Sequence, residues 1–420
     1  MKNSTYNQLF INTANALRSK IGNQLSIKAD DFPINISKIS NDKMPLSKYL
    51  YGMFSDIVYD DVEFPSYAFT RCSDLKAINA QVCRDINDFA FATCMNLSDI
   101  SFPLCSNIGQ YAFNYCIGLQ GVSFPECLSI DASAFGYCSN LLSVSFLKCK
   151  TIKEYAFYYC SKLSDISFPK CETIGSFAFY QCFSLIDISF PECISIYSYA
   201  FSNCIRLTNI LFSKCKFIDR GAFFSCSNLA IASFPECLSI GYYAFSRLSK
   251  LSIISFPKCE YIDYSAFNNC SSITEAIFPE CTIISAGAFV NCINLSIISF
   301  PKCTYIHSIA FSGCSRISYC SLPACEVIGS SAFLNCYSLK SVFISSCKAI
   351  SASAFYNCSS LYRIVINCSS VVSLASSTVF SNTDITNRTG QIIVPASLAT
   401  AFANDTKWSY FERIIGGSYF

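Results

Sequence analysis

From Phe64 to Phe355 the apolar residues of the chain recur in one order, L-x-x-I-S-F-P-x-C-x-x-I-G-x-x-A-F-x-x-C-x-x, with polar residues in the gaps. The dipeptide Ala-Phe marks the period. It ends at Phe69, Phe91, Phe113 and onward to Phe355, fourteen times at one constant interval, each a single turn of the pattern after the last. Three residues after each Phe comes Cys, broken once at Leu248, and six after it comes Leu or Ile. Fourteen after it Cys returns, from Cys83 to Cys347. Within one period, Leu163, Ile166, Phe168, Cys171 and Ile174 have the alternation of a short β-strand followed by a turn. Ala178, Phe179, Cys182 and Leu185 step by three, as a short helical or 3₁₀ turn does. One strand and one turn in so short a period make one coil of a solenoid, because no coil buries its apolar face without neighbours.

Composition narrows the class. Apolar residues make up 52% of the 420 and charged ones 14%, yet Ser, Asn, Lys and Asp interrupt every apolar stretch before it reaches membrane-helix length. Membrane insertion is not expected. Thirty basic and 28 acidic side chains give a formal charge of +2 with no basic cluster, so nucleic-acid binding is not expected either. Met1 to Gly22 lacks the apolar core and small-residue cleavage site of a secretory signal.

The segment L-x-x-I-x-F-x-x-C-x-x-I resembles the leucine-rich repeat, and the following I-G-x-x-A-F-x-x-C-x-x-L resembles its bacterial surface-antigen subclass, called BspA-like. Two departures stand out: Cys takes the place of the Asn that many such repeats carry after the strand, and Phe380 arrives later after Phe355 than the period requires, which marks the end of the array. The expected fold is a leucine-rich-repeat solenoid with a parallel β-strand in each 22-residue coil, short turns or 3₁₀ segments, short N-terminal helices and a C-terminal capping segment. The expected organisation is an N-terminal helical attachment or capping segment over 1–45, the solenoid of about fourteen repeats over 46–385 and the cap over 386–420. In the first of these, LFINTANALRSKI (residues 9–21) has helical spacing closed by Gly22, and Asp31-Phe32-Pro33 offers a cap for a second helix. That stretch resembles the leader of tail-associated proteins of phages and prophages of Gram-positive hosts. The closing stretch, residues 392–415, resembles the end of many BspA-like arrays: a strand, a turn at Pro395 and an amphipathic helix ending near Trp408, which would cover the last coil's core.

The 28 cysteines raise the question of chemistry. Zinc sites draw on C-x-x-C or C-x-x-H pairs, and neither spacing occurs here. The single His307 falls in a slot filled mostly by Gly, Asp, Asn or Ser, so it reads as a turn residue. Stacked strands bring equivalent cysteines within reach of a disulfide, but their side chains would point in parallel into the core. The cysteines therefore read as two columns of small buried thiols that donate to turn carbonyls. A nucleophilic Cys would need a base, and one His beside cysteines in repeated slots argues against an enzyme. No metal or other cofactor is expected.

Recognition must then use the variable slots. One of them reads Glu126, Lys148, Lys170, Glu192, Lys214, Glu236, Lys258, Glu280 and Lys302, a ladder of mostly opposite charges that would fix register. Aromatic residues point more directly to a ligand. Two residues before the repeat Phe stand Tyr67, Phe89, Tyr111, Tyr155, Phe177, Tyr199 and Tyr243; a second column holds Tyr115, Tyr137 and Tyr159, beside Tyr158 and Tyr180. These tyrosines are the candidate binding surface, since the ring is rigid, amphipathic and loses little entropy on binding. The family resemblance implies adhesion, and the N-terminal resemblance implies a virion. The expected function is a non-enzymatic recognition protein that meets a host cell-surface glycan or protein and contacts virion proteins through its N-terminal segment. A structural spacer or decoration of a virion and a bacterial cell-surface adhesin are the alternatives, the expected location being a virion or a cell surface.

Overall fold

The computed structural model of the protein describes residues 56–58 and 62–417. The N-terminal attachment segment inferred for residues 1–45 lies outside them. The chain divides into two compact units, Met1–Cys193 and Ile194–Phe420. Both are parallel β-solenoids built from the same coil.

Each coil carries two strands. The longer is the one the L-x-x-I-S-F pattern predicts, as in Asp165–Ser167, where the S-F-P step ends it: Pro169 has no amide hydrogen to give, and Cys171 N–H closes a turn onto Phe168 O at 3.3 Å. The second is only two residues, as in Thr173–Ile174, and pairs in register with Thr151–Ile152 of the coil before. Sequence periodicity folds this second strand into the turn, because two residues are too few to show alternation. In the first unit six such pairs of residues, from Glu63–Phe64 to Thr173–Ile174, form a parallel ladder; in the second, nine run from Ser195–Ile196 to Ser373–Leu374.

The core is a zip of two phenylalanine columns. Phe113 stacks on Phe91 and Phe135 at 5.1 Å, Phe124 stacks on Phe102 at 5.6 Å, and the two columns meet edge to face, as between Phe102 and Phe113 at 6.1 Å. The second unit repeats this through Phe223, Phe245 and Phe267, with Phe234 and Phe256 in the other column. From residue 322 on, Leu322, Ile344 and Ile366 replace the second column's phenylalanines and are as fully buried.

The end of the array keeps its core despite the irregular spacing. Phe380 stacks on Phe355 at 5.6 Å, and Trp408, wholly buried, donates its indole N–H to Val372 O at 2.7 Å. The helix expected to run to Trp408 is shorter, Ala399–Asn404. Asp405 stops it: its Oδ1 accepts the N–H groups of Lys407 and Trp408 and holds the chain in a turn that swings the indole inward. The strands Gln391–Val394 and Ile414–Gly416 add two further rungs after Arg363–Ile366.

Candidate functional site

The tyrosine columns lie on the turn arc between the short strand and the next long one. Along this arc the amide hydrogens alternate in direction. Ala112, Asn114 and Cys116 donate back three residues within their own coil, whereas Tyr111, Phe113 and Tyr115 donate to Ala132, Ala134 and Gly136 of the next. The alternation requires left-handed backbone at two positions per coil. Both tyrosine columns are those positions: Tyr111 has φ +56°, Tyr115 +60°, Tyr137 +61°, Tyr155 +58° and Tyr159 +58°. Bulky side chains seldom adopt this region, and holding one there costs on the order of 1–3 kcal/mol.

Stacking offsets the strain. Tyr137 lies between Tyr115 at 4.4 Å and Tyr159 at 5.3 Å, nearly parallel to both. Tyr158 bridges the columns, edge-on to Tyr137, Tyr155 and Tyr159 and stacked on Tyr180 at 5.2 Å. Tyr155 in turn stacks on Phe177 at 5.0 Å, and Phe177 touches Tyr180. Six of the ten candidate tyrosines, with Phe177, thus form one seven-ring surface. Tyr115 and Tyr155 are exposed and the rest half-buried. Burial, and then the phenols packed around it, push the Tyr158 hydroxyl up to about 12; Tyr137 shifts in the same direction for the same reasons. These two hydroxyls stay protonated at physiological pH and can donate as well as accept hydrogen bonds.

The other four candidates stand apart from this surface. Tyr67 and Tyr111 sandwich Phe89 in a separate stack, at 4.9 and 4.8 Å, cut off from Tyr155 by the buried Ser133 in the same column. Tyr199 and Tyr243 belong to the second unit, where the neighbouring slots of the column are Gly221 and Ser265. Their partners there were not among the candidates. Arg220 lies over Tyr242 at 4.8 Å and donates Nε–H to Tyr199 Oη at 2.9 Å, while Tyr242, Tyr243 and Tyr264 touch one another. Tyr242-Tyr243 as a doublet, like Tyr158-Tyr159, is the sequence signal that marks such a cluster.

The thiols occupy the core. Of the 28, all but Cys72 are buried, and none is joined in a disulfide. In one column the Sγ–H groups donate to the repeat Phe carbonyl of the preceding coil, as Cys138 to Phe113 at 3.1 Å, Cys226 to Phe201 at 3.0 Å and Cys292 to Phe267 at 3.2 Å; in the other they donate two residues ahead, as Cys171 to Thr173 at 3.3 Å. Burial pushes Cys138 and Cys226 up to about 12, far from any nucleophilic thiolate. His307 directly follows the strand Tyr305–Ile306 and leads into the turn, its ring 4.2 Å from that of Tyr305, and no group of metal-ligating side chains occurs among the described residues. The charge ladder forms where its signs alternate: Lys148 with Glu126, Lys258 with Glu236 and Lys302 with Glu280, all at 2.6–2.7 Å and solvent-exposed. Among the described residues no helix is long and apolar enough to cross a membrane.

Comparison with known families places these coils. A model described as "BspA type Leucine rich repeat region" matches residues 62–173, 172–296 and 282–408. Among solved structures, a leucine-rich repeat protein from Bacteroides ovatus is 21% identical and aligns over 68% of this chain and 82% of its own, with a TM-score of 0.49. A leucine rich cell surface protein from Faecalibacterium prausnitzii is also 21% identical, over 78% and 82%, with a TM-score of 0.31. The pneumococcal vaccine antigen PcpA is 14% identical over 87% and 85%, with a TM-score of 0.30. No curated protein matches the chain.

Proposed function

The chain belongs to the BspA-type leucine-rich repeat family, whose solenoids are in general binding proteins, and on that premise we propose that it is a recognition protein without enzymatic activity. Its contact surface is the seven-ring cluster around Tyr137, and its target is a glycan or protein on a host cell surface. The observation that carries this reading is the placement of Tyr115, Tyr137 and Tyr159 in consecutive left-handed slots. Stacking offsets the strain, but Asn or Ser fills the slot in other coils without either, so three successive tyrosines are read as kept for a contact beyond the coil. Rings held at fixed spacing meet sugar faces and apolar side chains with little entropy left to lose. The resemblance of residues 1–45 to phage and prophage tail leaders supports the further reading that this segment attaches the solenoid to a virion.

Binding of the full chain to intact host cells and to a glycan array tests the reading against the variant Y115S/Y137S/Y159S. Ser fills the same slot at Ser225 with the same backbone, φ +60°, so folding is expected to persist. Removing a central aromatic anchor costs about 2 kcal/mol or more, which lowers affinity by roughly thirtyfold. A folded variant that attaches as well as the parent would make the cluster a seam between coils and the protein a spacer.

A further inference from the structure

A second feature, on the short-strand face of the second unit, is independent of the tyrosine surface. It is an open groove of about 450 Å³ between coils. Around its low point at Gly241 it is flanked by Phe217 and Asp219 on one side and Tyr261 and Asp263 on the other, and past Phe217 it continues over the coil of Ser195 and Tyr197. The low floor comes from the missing side chain: the preceding coil packs so closely that a Cβ on Gly241 would come within 2.8 Å of Asp219 C and Ile218 O, whereas Lys153 fills the same slot in the first unit. The walls stand two strand spacings apart, about 9.6 Å, which leaves room for one six-membered ring and its substituents. Phe217 is 49% exposed and Tyr261 38%, a large apolar exposure for side chains flanking a notch.

Charge distinguishes this groove from the same slots elsewhere. In the first unit Asp131 occupies the slot of Asp219, and Lys153 of the next coil neutralises it at 2.9 Å. The next coil after Asp219 offers Gly241 instead. Neither Asp219 nor Asp263 forms an ion pair among the described residues. Asp219 accepts only Ser198 Oγ–H at 2.6 Å and Arg220 N–H at 2.7 Å, and Asp263 accepts Tyr264 N–H at 2.6 Å and Tyr261 Oη–H at 3.2 Å through Oδ1, which leaves Oδ2 open. Arg220 is the adjacent cation, but its guanidinium is stacked over Tyr242 and bonded to Tyr199. The groove therefore presents two uncompensated carboxylates between exposed aromatic walls.

We infer that this groove binds an amino sugar of a glycan, a pyranose carrying a free ammonium group. The C–H faces of the ring cover Phe217 and Tyr261, and the ammonium lies between Asp219 and Asp263, where carboxylates and ring faces both attract it. A lysine side chain brings the same charge on a thin flexible stem, which leaves the walls uncovered and gives up more rotamer freedom.

Calorimetric titration of the full chain with glucosamine oligomers, N-acetylglucosamine oligomers and a lysine tetrapeptide tests the assignment. Glucosamine oligomers are expected to bind, and to bind at least tenfold more weakly to D219N/D263N and to Y261A. The N-acetylated oligomers are expected to bind at least tenfold more weakly to the parent. All these side chains are at the surface, so melting temperatures of the variants are expected to stay near the parent's, and Y115S/Y137S/Y159S is expected to bind glucosamine oligomers as the parent does, which separates this groove from the tyrosine surface. Absence of glucosamine-oligomer binding, or undiminished binding by folded D219N/D263N, overturns the assignment. So does lysine-peptide binding as tight as that of the sugar and lost in the same variants, which would assign the groove to a basic protein partner.

Discussion

The two units share a backbone and differ in what they place on it. Each of the fourteen coils marked by Ala-Phe bends through two left-handed positions. In the second unit the later of the two is filled by Asn203, Asn269, Asn291, Asn335 and Asn357, with Gly313, Ser225 and Arg247, a set dominated by the residues that tolerate positive φ. In the first unit the same position holds Arg71, Thr93, Tyr115, Tyr137, Tyr159 and Gln181, with no Asn or Gly. The earlier position follows suit: five of its six residues in the first unit are aromatic, Tyr67, Phe89, Tyr111, Tyr155 and Phe177, whereas the second unit has Gly221, Ser265, Gly287, Ser331 and Ser353 beside Tyr199, Tyr243 and Ile309. The fold needs the backbone conformation, which Asn, Gly and Ser supply in the second unit without the rings. On the proposed reading, Tyr in a slot where the second unit places Asn serves a contact outside the solenoid.

The largest test of this comparison concerns what the units have in common. Cys138 in the first and Cys226 in the second are both pushed from about 9 to about 12 by burial. Below pH 9 a thiol is neutral in the folded and the unfolded chain, and its contribution to stability is complete. Above pH 9 the unfolded chain releases the proton and the folded one keeps it, so stability falls as pH rises toward 12, by about 1.4 kcal/mol per pH unit for each such thiol. Urea denaturation under reducing conditions is expected to give constant stability from pH 7 to about 8.5 and a steep loss by pH 11, with both units affected. Stability that is flat to pH 11 would mean the thiols are not buried as described.

A smaller effect separates the units. Ile309 is β-branched at φ +51° and has no stacked ring to offset the strain. Ile309→Asn is expected to stabilise the protein by about 1 kcal/mol, read as a rise in the urea midpoint; a lower midpoint would show that packing of the Ile side chain outweighs its backbone strain. The smallest effect tests the charge ladder, which both units carry. Lys148→Ala and Lys302→Ala break exposed pairs, and each is expected to cost no more than about 0.5 kcal/mol in low salt and less in high salt. A loss from either that clearly exceeds the range of exposed ion pairs would make the ladder a structural element rather than a register guide.

Much of the scaffold was legible because every coil repeats the same demands. The buried Phe, Cys and Ile slots recur once per coil, and both thiol columns find carbonyl acceptors as side chains of that size and polarity should. The left-handed slots were less legible, although their mark is present: Gly221, Gly287 and Gly313 share columns with tyrosines, and glycine in a repeated slot signals positive φ. Tyrosine concealed it by being the residue least expected there. The short second strand escaped because two residues show no period, and the early end of the last helix depends on one side chain, Asp405, reaching forward to two amides. Which tyrosines meet was beyond sequence, since stacking across coils depends on ring direction: Tyr155 reaches Tyr158 and Phe177, while Tyr111 turns to Phe89. The groove at Gly241 became visible only once Asp219 and Asp263 were seen to flank the same glycine two coils apart.

The claim that the rings are held for recognition and not for folding is tested most directly by one variant of the full chain, Y115N/Y137N/Y159N, measured for both stability and attachment. Asn is the residue the second unit uses in this slot, so relief of backbone strain of about 1–2 kcal/mol per residue is set against loss of ring contacts worth about 0.5–1.5 kcal/mol each. The account predicts a urea midpoint close to the parent's and attachment to the target surface reduced by roughly thirtyfold. A variant that is strongly destabilised yet, while folded, attaches as tightly as the parent would contradict it and return the tyrosines to the scaffold.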